Sequence, residues 1–338
     1  MLLDRVCTLE ENRHPLRFCE MEGPTPGENE VLIQVSACGV CHTELDEIEG
    51  RTPPSFFPIV PGHQIAGRVA AAGNNASRYG IGDRIGVAWI FSACGKCKLC
   101  RAGNENLCAD FRGTGRAATG GYAEFMSVHE AFCHPIQEEF SDAEAAPLLC
   151  AGAIGYRSLR LSNISDGQSL GLTGFGASAH LVLKMVRHRY PDVAVFVFAR
   201  SEKERAFALE LGAAWVGDTT DTPPHLLDAI IDTTPAWKPV VEALKNLEPG
   251  GRLVINAIRK EERDKDTLLA LSYPAHLWLE KEIKSVANVT RQDVNEFLQL
   301  AARMKIKPEV EEFALKDANQ ALIELKAAKV HGAKVLRI

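Results

Sequence analysis

At 338 residues, with 46% apolar and 24% charged residues and 27 glycines, the chain has the composition of an ordinary soluble globular protein and is long enough for two cores. Its net charge of −6 argues against nucleic acid as a partner, which would ask for a clustered Lys and Arg face. The opening "MLLDRVCTLEENRHPLRF" carries early acids and no long apolar run, and the longest weakly polar stretch, "AEAAPLLCAGAIGY", is too short for a bilayer. The expectation is a cytoplasmic protein with no signal peptide and no membrane association, in a compartment that keeps its ten cysteines reduced.

Residues 1 to about 145 are rich in Gly and Pro and contain short alternating runs. "EVLIQVSAC", "IAGRVAAAG" and "DRIGVAW" predict strands, separated by the turn signals "GPTPGENE", "AAGNNAS" and "YGIGD". This half predicts an irregular, mostly antiparallel, barrel-like β domain. It carries "CGKCKLCRAGNENLC", which places Cys94, Cys97, Cys100 and Cys108 in one short polar segment with the spacing C-x2-C-x2-C-x7-C. Four thiolates so close together can close a tetrahedron around Zn²⁺ with no vacant position, so zinc is the favoured reading and its gain is structural. An iron–sulfur cluster and a set of redox thiols are the alternatives.

From about 151 the texture changes. "QSLGLTGFG" predicts a strand ending in glycines, "ASAHLVLKMVRHRY" a helix, "VAVFVFAR" a buried strand, and "SEKERAFALELGA" an amphipathic helix. "LLDAIIDTT", "VVEALKNLEPGGRLVINAI" and "EIKSVANVT" continue the strand–helix alternation of a parallel sheet with crossover helices. "VNEFLQLAARMKI" and "ANQALIELKAA" then predict two helices before a last strand, "AKVLRI". The expected organisation is a first domain over 1–150, a nucleotide-binding domain over 151–289, and a return to the first domain over 290–338.

The turn "GLTGFGASAH" gives Gly174-x-Gly176-x-x-Ala179 between a strand and a helix, with Ala177 opening the helix. That is the G-x-G-x-x-A form of the dinucleotide fingerprint. Gly174 permits the tight turn, Gly176 lets the backbone approach a pyrophosphate, and Ala179 permits close helix–strand packing; the helix N-terminus faces the phosphates. The next strand ends at Ala199, where a carboxylate would bind both ribose hydroxyls of NAD. Its absence removes repulsion toward a 2′-phosphate, and Arg200, Ser201 and Arg205, with Lys203 nearby, can donate to one. NADP(H) is therefore favoured over NAD(H), the alternative being that these charges form a solvated first helical turn.

Cys41 in "CGVCHTELDEIEG", His63 in "VPGHQIAG" and Cys150 in "APLLCAGAIGY" each lie in a small or turn-forming neighbourhood. Two thiolates and one imidazole leave the fourth zinc position open, which suits catalysis. Taken singly, a lone Cys is more often a small buried hydrophobe and a lone His in a glycine turn more often just hydrogen-bonded.

The segments "GVCHTEL" and "PGHQIAGRV", the four-cysteine lobe, "GGYAEF", "PLLCAG" and the glycine turn follow the order of the zinc-containing medium-chain dehydrogenase/reductase family, and the chain resembles its alcohol dehydrogenases over essentially its whole length. The resemblance implies a two-domain α/β fold, with a GroES-like mostly-β catalytic domain, a Rossmann doubly wound parallel-sheet cofactor domain, and an active site in the cleft between them. It implies a catalytic zinc on Cys41, His63 and Cys150 beside the structural one, hence two Zn²⁺ per chain. The implied reaction is hydride transfer between a primary or secondary alcohol, or an aldehyde or ketone in reverse, and a nicotinamide cofactor. Thr43 matches the hydroxyl that contacts the substrate oxygen, His42 the residue that reaches the pyrophosphate, and Glu44 the carboxylate, usually Asp, that orients the ligand histidine. Two positions depart from the pattern. Gln64 stands where many members have Glu, and Asp46 stands where several alcohol dehydrogenases end their proton relay in histidine. Trp89 and Ile90, with Phe56 and Phe57, resemble pocket-lining positions, though they are equally compatible with core. A homodimer or homotetramer is implied, with "LWLEKEIKSV" as one edge. Competing readings are an NAD-linked alcohol or polyol dehydrogenase and a non-catalytic nucleotide-binding protein on the same fold.

Overall fold

The computed structural model describes residues 1–327 and 332–338. In chain order the principal elements are β1 (Glu30–Val40), α1 (His42–Ile48), β2 (Ile65–Ala72), β3 (Arg84–Val87), β4 (Phe125–His129) and β5 (Cys133–Pro135). There follow β6 (Ser169–Thr173), α2 (Ala177–Arg189), β7 (Ala194–Phe198), α3 (Glu202–Glu210), β8 (Trp215–Gly217), β9 (Leu227–Asp232), α4 (Lys238–Lys245), β10 (Leu247–Ile255) and β11 (Glu282–Ser285). The chain closes with α5 (Arg291–Arg303), β12 (Val310–Ala314), α6 (Ala318–Lys326) and β13 (Ala333–Arg337). The last residue of the expected segment "ANQALIELKAA", Ala328, lies outside the described residues. The chain divides into two compact units, one formed by Met1–Ala153 with Val289–Ile338 and the other by Ile154–Asn288.

In the first unit the sheet runs β12-β13-β1-β2-β3-β5, with β4 also paired to β1. All pairings are antiparallel except β12 with β13. β1 is the spine because it alternates: Val31, Ile33 and Val35 point into the core while Glu30, Leu32 and Gln34 point away from it. Its far end carries Cys38 and Gly39 and delivers the chain to Cys41. Ile90 is wholly buried in this core, whereas Phe56 and Phe57 are exposed and Trp89 is half-buried, stacked at 5.2 Å on Phe111. The expected pocket quartet thus contributes one residue to the core and two to the surface.

In the second unit six strands run in the order β8-β7-β6-β9-β10-β11, all parallel. Strands covered on both faces need continuous apolar runs, and Val195–Phe198 and Ala229–Ile231 supply them fully buried. Strand order reverses at β6, the switch point where nucleotides bind in open α/β sheets. Among the described residues no helix is long and apolar enough to cross a membrane.

Candidate active site

Cys41 ends the turn after β1 and caps α1. Its backbone is extended (φ −138°, ψ 179°) and its Sγ accepts the Thr43 N–H at 3.3 Å. Three residues on, Glu44 completes the capping box, its Oε2 accepting the Cys41 N–H at 2.9 Å. The other oxygen of the same carboxylate, Oε1, lies 2.5 Å from His63 Nδ1. Glu44 therefore fixes the backbone of one candidate ligand and the ring of another. An ionised carboxylate only accepts, so His63 Nδ1 carries the proton it donates, and Nε2 is the atom turned toward Cys41 Sγ, 3.7 Å away.

His63 follows Gly62, which has φ +99°, a left-handed conformation that side chains avoid. A Cβ there would lie 2.4 Å from the ring of the fully buried Tyr122, so the turn also depends on close approach. Cys150 comes from a different element, the five-residue π-type turn Leu148–Gly152. Such turns interrupt the helical period and re-aim a side chain. The Sγ atoms of Cys41 and Cys150 and a ring nitrogen of His63 all lie within 4.8 Å of one another.

These separations suit a tetrahedral ion: Zn–S near 2.3 Å and Zn–N near 2.0 Å place sulfur and nitrogen about 3.5 Å apart. The electrostatics fit as well. Burial opposes charge on His63, but Glu44 and Cys41 outweigh it and raise its pKa well above the ordinary value. Burial likewise works to raise Glu44, yet His63 and the Cys41 N–H hold it below the usual range. The Cys41 thiol is pushed well up, first by its hydrogen bond with Cys150 and then by burial and Glu44. A cation bound there would take the place of the thiol protons, so metal uptake would release protons.

The four-cysteine lobe shows the same arithmetic. Its sulfurs lie 3.9 Å apart for Cys94–Cys100 and Cys97–Cys108 and 3.5 Å apart for Cys108–Cys94. A tetrahedron with 2.3 Å Zn–S bonds has edges of about 3.8 Å, whereas a disulfide needs about 2.05 Å. Backbone N–H groups of Cys97 and Cys100 point at the sulfurs of Cys94 and Cys97. Backbone donors at Lys96 and Cys97 pull the Cys94 thiol down to about 6.

The remaining residues of α1 divide in two. His42 is exposed and Thr43 half-buried at the helix start. Asp46 is nearly buried and accepts from Arg51 Nε at 2.5 Å, so its carboxylate faces an arginine. Gln64 is buried with its Oε1 where a Cβ on Gly39 would fall, 2.5 Å away. Glu47 gave no signal in the sequence. It is buried, and its pKa is pushed well above the carboxylate range by burial and by Glu44, partly offset by His63, Arg116 and Trp89. One turn beyond Thr43, it is a buried carboxyl rather than the exposed acid its charge-rich neighbourhood suggests.

The glycine turn lies in the second unit. Gly174 has φ +76°, and a Cβ there would meet Thr233 Oγ1 and Thr234 Cγ2, each at 2.9 Å. Gly176 caps α2 and a Cβ on it would meet nothing within 4 Å. One glycine is needed by the protein; the other leaves open space in front of the N-terminus of a thirteen-residue helix, whose dipole favours an anion. Ala177 opens α2, and Ala179 is fully buried. Ala199 is buried at the end of β7, while Arg200 and Ser201 are exposed, Ser201 capping α3. Arg205 folds back, donating from Nη1 to the carbonyls of Ala199 at 2.6 Å and Arg200 at 3.0 Å.

Residues 27–138 match the alcohol dehydrogenase GroES-like domain family. A probable alcohol dehydrogenase, AdhA, of Mycobacterium tuberculosis (strain CDC 1551 / Oshkosh) is 42% identical over 332 residues, covering 96% of this chain and 93% of its own. The cinnamyl alcohol dehydrogenase SbCAD4 of Sorghum bicolor superposes with a TM-score of 0.84 at 25% identity over 99% of this chain and 96% of its own. The CAD of Helicobacter pylori, complexed with NADP(H), superposes with a TM-score of 0.80 at 25% identity over 93% and 91%. Shared sequence along nearly the whole chain, on a GroES-like unit joined to a Rossmann-type sheet, places this chain in the zinc-type medium-chain alcohol dehydrogenase family.

Proposed function

We propose that this alcohol dehydrogenase is zinc-dependent and prefers NADP(H), moving hydride between a primary or secondary alcohol and the nicotinamide ring, or in reverse to an aldehyde or ketone. The observation that carries the reading is the convergence of Cys41, His63 and Cys150, from three separate segments, to within 4.8 Å. A zinc ion held there supplies Lewis acidity toward the substrate oxygen. The nicotinamide supplies the hydride acceptor or donor. A second zinc belongs to Cys94, Cys97, Cys100 and Cys108 and is structural.

The chain's own residues do the rest. Glu44 locks the His63 tautomer, so that Nε2 presents its lone pair, and holds Cys41 at the head of α1. Thr43, at the head of α1, would hydrogen-bond the substrate hydroxyl through its own hydroxyl. His42, exposed beside it, would contact the cofactor's pyrophosphate. Gly174, Gly176, Ala177 and Ala179 form the pyrophosphate turn, and Arg200 and Ser201 meet a 2′-phosphate, with Arg205 bracing the loop that carries them. The NADP(H) complex of the Helicobacter relative supports this preference. The enzyme works in the cytoplasm as a homodimer or homotetramer.

Metal analysis together with a panel of alcohols and aldehydes tests this reading with both cofactors. Two zinc ions per chain and higher kcat/KM with NADPH than NADH are expected. One zinc per chain would remove the catalytic assignment, and equal or greater efficiency with NADH would remove the cofactor preference.

A further inference from the structure

The two cysteine sites are joined by a continuous set of contacts through α5. Glu105 sits inside the four-cysteine lobe, three residues before Cys108, and is 5% exposed. Its Oε1 accepts from both the backbone N–H of Arg291 at 3.0 Å and its Nε at 3.1 Å. Arg291 is the first residue of α5, and its guanidinium stacks on the Phe132 ring at 4.8 Å. One turn on, Asn295 Oδ1 meets the buried His134 Nδ1 of β5 at 2.8 Å. At Phe297, about 9 Å along the helix from Arg291, the core face of α5 reaches the π-type turn. There a Cβ on Gly152 would lie 2.1 Å from the fully buried Phe297 ring, so the phenyl occupies the space a side chain on Gly152 would need. Gly152 is two residues from Cys150, in the same five-residue turn. On the other side Leu149 fills the space over Gly86.

We propose that Glu105 is a positioning residue for Cys150. Through Arg291, α5 and Phe297 it transmits the closed state of the four-cysteine lobe to the Cys41/His63/Cys150 site, and opening the lobe weakens metal retention at that distant site. The physical reason is that helix α5 is stiff along its length and close-packed at both ends, so displacement at Arg291 moves Phe297 against a turn with no slack. This deepens the function proposed above and rests on it.

The test uses the full-length, zinc-loaded chain and follows metal release to 4-(2-pyridylazo)resorcinol, with the Cys150→Ala variant identifying the phase that belongs to the three-ligand site. Cobalt substitution gives a second readout through the visible absorption of each site. Glu105→Ala is expected to speed release from the three-ligand site by about tenfold, the range over which partners of metal ligands act. Glu105→Gln keeps an acceptor for the Arg291 N–H and should stay close to the wild-type rate. Phe297→Leu, at the far end of the chain of contacts, should speed the same phase while leaving the lobe's phase unchanged; it decides the question if Glu105→Ala does not fold. Wild-type release from the three-ligand site in both Glu105→Ala and Phe297→Leu would overturn the coupling and leave the proposed function standing. A wild-type chain that binds a single metal would overturn both.

Discussion

At the scale of single residues, the two oxygens of Glu44 serve two different candidate ligands. Gln at position 44 can still accept the Cys41 N–H, but its amide then turns N–H groups toward His63. The imidazole answers by protonating Nε2, the atom a metal needs. Glu44→Gln is therefore expected to weaken zinc at the three-ligand site by about 10- to 100-fold, with the four-cysteine site unaffected. Competition with a chelator of known affinity measures this, and unchanged affinity would show that the carboxylate only caps the helix. Arg200 belongs to the other unit and to specificity. It is exposed beyond β7, next to a buried Ala199 with no acid to claim the ribose. Arg200→Asp should reduce kcat/KM for NADPH by about tenfold or more through the loss of a charge-assisted hydrogen bond, and change NADH far less. Equal losses with the two cofactors would place the 2′-phosphate elsewhere.

At the scale of elements, the joint between β5 and α5 has a pH signature. His134 is wholly buried against Asn295, and burial above all pushes its pKa down to about 4. In the unfolded chain the same ring titrates near 6.5. Between those values the unfolded chain binds a proton that the folded one does not. The stability contributed above about pH 6.5 is thus lost as pH falls toward 4, by on the order of 3 kcal/mol. His134→Gln should flatten the fall in urea midpoint between pH 6.5 and 4.5; the same slope in both proteins would assign the loss to other groups. This joint also marks the limit of what could be read beforehand. The four-cysteine lobe was legible because its ligands are local and their spacing alone encodes proximity, and the parallel sheet was legible because "VAVFVF" and "LLDAIID" are runs that only a doubly covered strand needs. By contrast Glu105 and Arg291 are 186 positions apart, and nothing in either neighbourhood names the other. The turn holding Cys150 follows neither a 3.6- nor a 2-residue period, so no pattern announced it. Arg205 read as a phosphate donor from its charge alone; that its Nη1 also donates to the Ala199 and Arg200 carbonyls depends on how the backbone runs into α3, which charge does not encode.

At the scale of the whole molecule, β11 ends the six-stranded sheet and pairs only with β10 among the described residues. All four of its residues are exposed, and Ile283, Trp278 and Leu279 present apolar surface beside it. An open edge of this kind offers a ladder of N–H and C=O groups to another strand, and a second copy of the chain is the partner that the proposed oligomer supplies. A two-fold axis makes such pairing antiparallel. With Ile283 on the axis, Glu282 of each chain stands opposite the partner subunit's Lys284, two opposite-charge pairs for one contact. Lys284→Glu turns both pairs into acid against acid. Each cross-strand charge pair is worth about 0.2–1 kcal/mol in either direction, so reversing both should weaken the dimer constant by between a few-fold and several hundredfold, about 50-fold at the middle of that range. The exchange Glu282→Lys with Lys284→Glu restores opposite charges across the axis but removes the Arg252–Glu282 ion pair within each chain, so it should recover the dimer above the Lys284→Glu level without full restoration. Light scattering across a dilution series reads the outcome. A mass unchanged by Lys284→Glu, or a double exchange no better than the single one, would move the interface away from this edge.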